Sequence, residues 1–194
     1  MAHINHSPSK HMLNLLHVVS PYAQSTSIVN CIIELNSHTL NKYELITESG
    51  QLKLDRVWYS SLSYPFAYGA IPMTRDLDND PLDIEIVNVT EPLIPGSLVE
   101  ARIIWVMKFD DGGETDDKII AVLAADKRSD HITTIADLWE YFVIETTYYR
   151  EHYKDLKKPG TCRVWWFFDT LTAQHIIDEC AQRYTTHYLP QFDG

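Results

Sequence analysis

The stretch from Leu98 to Leu123 constrains the fold more than any other part of the chain. LVEARIIWVMKF and KIIAVL are apolar runs of strand length, and DDGGETDD between them is polar with two adjacent glycines. Two Val/Ile-rich runs joined through such a turn read as antiparallel neighbours. More strand patterns precede them. SIVNCIIEL is one apolar run, KYELIT (Lys42 to Thr47) is another, and QLKLDRVWY alternates with period two after the Ser49-Gly50 turn. IEIVNV follows, and Pro92, Pro95 and Gly96 then break the chain. The period changes after Ala125. Thr134 is the expected N-cap of a helix running through Tyr149, with Ile135, Leu138, Trp139, Phe142 and Val143 at helical spacing. CRVWWFF is a last strand, and Thr172 is expected to cap a final helix bearing Ile176, Ile177, Cys180 and Tyr184. Strands first and helices late predict an α+β, mainly β fold: a small closed barrel with helices packed outside.

With 194 residues there is room for one domain with a sizeable core. We read residues 1–12 as a disordered arm or a cloning remnant and 13–194 as a single domain. The net charge of −11 disfavours nucleic acid and anionic membranes as partners. An acidic protein can still act on an anionic substrate if cations stand between the two. Cys31, Cys162 and Cys180 are too few and too scattered for a disulfide framework or a zinc site, and fit buried thiols of a cytoplasmic protein. No apolar run reaches 18 residues, so no membrane-spanning helix is expected.

Chemistry concentrates in DLDNDPLDIEIV, Asp76 to Val87. Asp76, Asp78, Asp80 and Asp83 crowd together while Pro81 stiffens the loop and Leu82 and Ile84 bury its end. Carboxylates held this close raise one another's pKa unless a cation neutralises them. Oxygen ligands without nearby His or Cys favour Mg²⁺, Mn²⁺ or Ca²⁺ over zinc. An EF-hand is excluded, because its sixth position would be Pro81 and its twelfth Val87. A second acidic group, Asp110, Asp111, Glu114, Asp116 and Asp117, precedes Lys118, and in a small barrel the two loops can meet at one mouth. Lys42, Tyr43, Arg56, Tyr64, Tyr68, Lys118, Tyr153 and Lys154 recur at element ends. Cations and phenols around a metal-holding acidic pocket suit phosphate oxygens. With no Walker, kinase or dinucleotide loop, they point to a small phosphate ester or anhydride.

DNDPLDI (Asp78 to Ile84) resembles the signature of the family I soluble inorganic pyrophosphatases. So do KYE and ESG (Lys42 to Gly50), the DR pair (Asp55, Arg56), YPFAYG (Tyr64 to Gly69), DDGGETDDK and EHYKDLK (Glu151 to Lys157), in family order. The resemblance implies a five-stranded, OB-like antiparallel barrel with flanking helices, and Mg²⁺-dependent hydrolysis of pyrophosphate to two phosphates. Mn²⁺ is a possible substitute and Ca²⁺ an expected inhibitor. It also implies roles. Asp78, Asp83 and Asp116 would hold the first metal, and Asp83 would reach a second. Asp111 and Asp116 would hold a third, and Glu34 would touch a fourth through water. Asp80 would be the general base beside a metal-bridging water. Lys42, Arg56, Tyr68, Lys118, Tyr153 and Lys154 would bind the phosphates, with Glu44 and Tyr64 lining the pocket. The short bacterial form is typically a homohexamer, and His152 lies where it often has an interface histidine. Two other readings stay open at this point: a non-catalytic metal- or phosphate-binding OB-like module, and a hydrolase of another phosphoanhydride.

Overall fold

The computed structural model describes residues 14–192, so the arm expected over residues 1–12 lies outside the described residues. Five strands form a ring: β2 (Ile28–Leu35), β5 (Ala67–Ala70), β6 (Asp83–Ile86), β8 (Lys118–Leu123) and β7 (Leu98–Asp111), with β7 pairing back onto β2. β1 (Tyr22–Ser25) and β9 (Cys162–Phe168) extend the sheet, and β3 (Asn41–Leu45) and β4 (Leu52–Val57) make a separate hairpin. The helices are the one-turn α1 (Leu15–Val18), α2 (Phe142–His152) and α3 (Thr170–Phe192).

The ring is antiparallel except at one ladder, where β6 and β8 run parallel. The reason is topological. Strand directions alternate around an antiparallel ring, and an odd number of strands leaves one neighbouring pair pointing the same way. That odd ladder sets the site, because its register places Asp83 beside Lys118.

Alternation sends the two faces of the ring to different partners. Ile84, Ile86, Ile119 and Ala121 pack with Ala173, Ile176, Ile177 and Cys180 of α3. Tyr68, Met107, Phe109, Ile120 and Val122 pack with Phe142, Tyr149 and Tyr153 at α2. Ile84 and Ile86 are fully buried. Each contributes about 1.5–3 kcal/mol to anchoring β6 behind the aspartate loop. Gly69 is needed where β5 pairs with β2, since a Cβ there would sit 2.1 Å from the carbonyl oxygen of Ile32. The three cysteines are free and buried. No helix among the described residues is long and apolar enough to cross a membrane.

The helix starts differ from expectation. Thr134 precedes only a 3-10 turn, Ile135–Asp137, and α2 begins later, at Phe142. The final helix is capped by Asp169, whose carboxylate accepts from the N–H and the hydroxyl of Thr172. A carboxylate is as good a cap as a hydroxyl, and it lies one residue before the helix begins.

Candidate active site

The aspartate loop is built by its own backbone. Thr74 Oγ1 donates to the carbonyl of Ile71 at 2.5 Å and accepts from Leu82 N–H at 2.9 Å. Asp76 N–H donates to the carbonyl of Asp80 at 2.7 Å, and Asp80 N–H to Asp78 Oδ1 at 3.0 Å. Asn79 takes φ 79°, a left-handed conformation that Asn tolerates better than most residues. The result separates the four aspartates. Asp78, Asp80 and Asp83 line a cleft. Asp76 turns away and is buried, with Arg183 Nη2 at 3.3 Å and Cys180 Sγ at 3.7 Å.

The cleft has a volume of about 380 Å³, and every site residue expected from the sequence lines it. β2 brings Glu34, the β3–β4 hairpin brings Lys42, Glu44 and Arg56, and Tyr64 and Tyr68 come from β5 and the segment before it. Asp111, Asp116 and Lys118 come from the β7–β8 turn and its flanks, and Tyr153 and Lys154 from the end of α2. The two acidic loops therefore do meet at one mouth.

Ion pairs organise the cleft. Lys118, 2% exposed, bridges Asp83 and Asp116. Lys154 pairs with Asp111, and Lys42 with Glu44. Among the described residues, Asp78 and Asp80 form no ion pair. Burial, and then the charges of Asp78 and Asp83, push the Asp80 carboxyl up to about 6. Burial and then Asp83 push Glu34 up to about 8, although Leu45 N–H donates to it at 2.9 Å. Asp116 is raised to about 6 by burial, only partly offset by Lys118. Burial acts upward on Asp83 too, but Lys118 and the Tyr68 hydroxyl outweigh it and hold Asp83 below the usual carboxylate range. Lys118 thus contacts both carboxylates at once and partly neutralises each.

The donor set fits hard divalent cations: several carboxylates, and among the described residues no imidazole or thiol, line the cleft. As placed, no three of these side chains among the described residues converge on one point. A lysine ammonium instead stands between Asp83 and Asp116, a single charge where the carboxylates call for more.

Glu114 of the second acidic group lines the cleft too, and the sequence reading missed Trp58 and Arg150, which also line it. Trp58 Nε1 donates to the Tyr64 hydroxyl at 3.1 Å and meets the Tyr153 ring edge-on at 5.0 Å. Arg150 pairs with Glu85 of β6. The signal for that pair was present: a glutamate inside IEIV, a strand buried on both sides, requires a buried partner.

Comparison with known proteins agrees with this architecture. The family model described as inorganic pyrophosphatase matches residues 31–185. The chain belongs to the inorganic pyrophosphatase family. It is 40% identical over 162 residues to the inorganic pyrophosphatase of Geobacillus stearothermophilus, covering 84% of this chain and 97% of that one. It is 36% identical over 174 residues to that of Neisseria meningitidis serogroup B, covering 89% and 98%. The crystal structure of an inorganic pyrophosphatase from Neisseria gonorrhoeae superposes with TM-score 0.84 at 34% identity, covering 88% of this chain and 99% of that one. That from Thermus thermophilus gives TM-score 0.81 at 35% identity, covering 89% and 99%. The mainly β fold with flanking helices is therefore the inorganic pyrophosphatase fold, with the cleft opening beside the parallel β6–β8 ladder.

Proposed function

We propose that this chain hydrolyses inorganic pyrophosphate to two phosphates, with Mg²⁺ as its metal. The observation that carries the reading is the composition of the cleft, where Asp78, Asp80, Asp83, Asp111 and Asp116 face Lys42, Arg56, Lys118 and Lys154. Family membership agrees with it.

Asp78, Asp83 and Asp116 would hold the first Mg²⁺, Asp83 would reach a second, Asp111 with Asp116 a third, and Glu34 a fourth through water. When bound, the cations neutralise the anion and lower the pKa of water from ~15.7 towards neutral. The remaining work falls to the chain. Asp80 takes the proton from the attacking water as its oxygen bonds to phosphorus and the bridging P–O bond breaks. Burial beside Asp78 and Asp83 raises the Asp80 carboxyl, which favours its accepting a proton. Lys42, Arg56, Tyr68, Lys118, Tyr153 and Lys154 bind phosphate oxygens, and the cations among them stabilise the charge that grows on the leaving phosphate. Glu44 and Tyr64 shape the wall: Glu44 pairs with Lys42, and Tyr64 accepts from Trp58. Mn²⁺ should substitute and Ca²⁺ should inhibit, because looser calcium coordination spoils octahedral geometry.

The assay is phosphate release from pyrophosphate, tripolyphosphate and ATP with Mg²⁺, Mn²⁺ or Ca²⁺. Turnover of pyrophosphate well above the other two is expected, and absence of turnover at neutral to alkaline pH would sink the reading. We place the enzyme in the cytoplasm, as its reduced cysteines suit. A homohexamer is the proposed assembly. His152, stacked on the exposed Tyr148 at 4.3 Å, would lie at a subunit contact. Light scattering after size exclusion tests it.

A further inference from the structure

A charge sits inside β6 where a buried strand has no packing use for one. Glu85 is 1% exposed and stands across the ladder from Tyr68. Its carboxylate pairs with Arg150 of α2, which is 3% exposed. The Arg150 guanidinium lies 5.5 Å from the Tyr68 ring and 5.8 Å from Phe109. Lys118 Nζ lies 5.8 Å and 5.9 Å from the same two rings. Two buried cations thus share two aromatic rings, one anchored by Glu85 and the other by Asp83 and Asp116.

Both cations line the cleft, whereas Glu85 does not. The pair is also incompletely satisfied, since Arg150 Nε and Glu85 Oε2 are buried without a hydrogen-bond partner. A guanidinium has five N–H donors, and Glu85 occupies only Nη2. Apolar residues of similar volume would serve stability as well or better than a buried ion pair. A permanently charged, forked donor at the wall of an anion cleft is instead suited to phosphate oxygens.

We propose that Arg150, anchored by Glu85, is a further phosphate-binding residue of this cleft, acting beside Lys118 at its inner wall. The inference rests on the reading of the cleft as a phosphoanhydride site. Glu85 is then a positioning residue: it neutralises the guanidinium's burial and fixes its direction.

The test uses the full chain and three variants: Arg150→Met, the double variant Glu85→Leu/Arg150→Met, and Arg150→Lys. The single Arg150→Met strands a buried carboxylate and should melt at lower temperature. The double variant replaces both charges with apolar groups and should recover most of that loss. If the role is phosphate binding, the stable double variant still binds inorganic phosphate, with Mg²⁺ present, about 10-fold or more weakly by calorimetry, the equivalent of one charge-assisted hydrogen bond. KM for pyrophosphate should rise more than kcat falls. Wild-type phosphate affinity and KM in the stable double variant would overturn the proposal. Should the double variant not fold, Arg150→Lys decides, because it keeps the charge and loses the fork. Weaker phosphate binding supports the proposal, and unchanged binding overturns it. Phosphate binding also separates the two readings. A wild-type protein that fails to hydrolyse pyrophosphate, yet loses phosphate affinity in the variant, sinks the hydrolase reading and keeps the role of Arg150.

Discussion

Arg183 joins the last helix to the aspartate loop through Asp76, donating to its Oδ1 at 3.3 Å. The same guanidinium donates to the carbonyl of Arg75 at 2.9 Å and to Cys180 Sγ at 3.0 Å. The backbone N–H of Asp76 in turn donates to the carbonyl of Asp80. The first aspartate of the cluster therefore supports the loop from behind while the other three face the cleft. Burial still leaves the Asp76 carboxyl above its ordinary range, so Arg183 compensates it only in part.

Removing that support should cost stability before chemistry. Arg183→Met is expected to destabilise the protein by about 1–3 kcal/mol, towards the low end because Arg183 is partly exposed. For a chain of this size that is a melting shift of roughly 2–4 °C per kcal/mol. Calorimetry checks it, and an unchanged melt would show that the link carries nothing. Turnover should fall by less than 10-fold, since no cleft residue is removed.

Asp80→Asn separates base from ligand. The change keeps the size and removes the basic oxygen, so kcat should fall by roughly 10²-fold or more. Mg²⁺ affinity, followed by calorimetry, should mostly survive, because Asp78 and Asp83 remain. Near-wild-type kcat would remove Asp80 from the base role.

Two carboxylates away from the cleft contribute to the acid sensitivity of stability. Asp137 accepts from Thr133 and Thr134, backbone and hydroxyl alike, and is pulled down to about 2. Backbone and hydroxyl donors of Thr172 likewise lower Asp169. A carboxyl whose folded pKa lies below its unfolded value of ~3.9 binds fewer protons when folded. Its contribution is present above that value and is lost as pH falls towards 2. Asp137→Ala should therefore lower the urea midpoint at pH 7 and leave it less sensitive between pH 4 and pH 2. A variant whose midpoint falls with pH as steeply as the wild type would refute the assignment.

Gly69→Ala should be among the most damaging single changes outside the cleft. Its Cβ would meet the Ile32 carbonyl oxygen at 2.1 Å and Cys31 Sγ at 2.9 Å, so β5 would have to move off β2. Tyr68 and Ala70, on either side, would move with it. The expected cost is about 2–3 kcal/mol or more, with lost activity because Tyr68 lines the cleft. Thermal melting and the phosphate-release assay read the two effects separately.

The strands and most of the cleft were legible because their patterns are local. KYELIT, LVEARIIWVMKF, KIIAVL and CRVWWFF correspond to β3, β7, β8 and β9. β5 was not read as a strand, since Ala67–Ala70 is only four residues and its glycine reads as a turn. The α2 start was misplaced because the helical spacing from Ile135 is spent on a 3-10 turn and a bend before Phe142. Glu85 carried a signal that went unread, since its meaning depends on a partner 65 residues away.

By itself the sequence determined the chemistry: which carboxylates crowd together, which cations and phenols accompany them, and which side chains are apolar enough to bury. These follow from residue type and short spacing. Only the tertiary structure decided which charges meet. An odd ring of strands forces one parallel ladder, and that ladder sets Asp83 beside Lys118. The packing of α3 turns Asp76 out of the cleft, and the packing of α2 brings Arg150 onto Glu85. Each of these contacts joins residues far apart in the chain, where no local pattern can specify distance or direction.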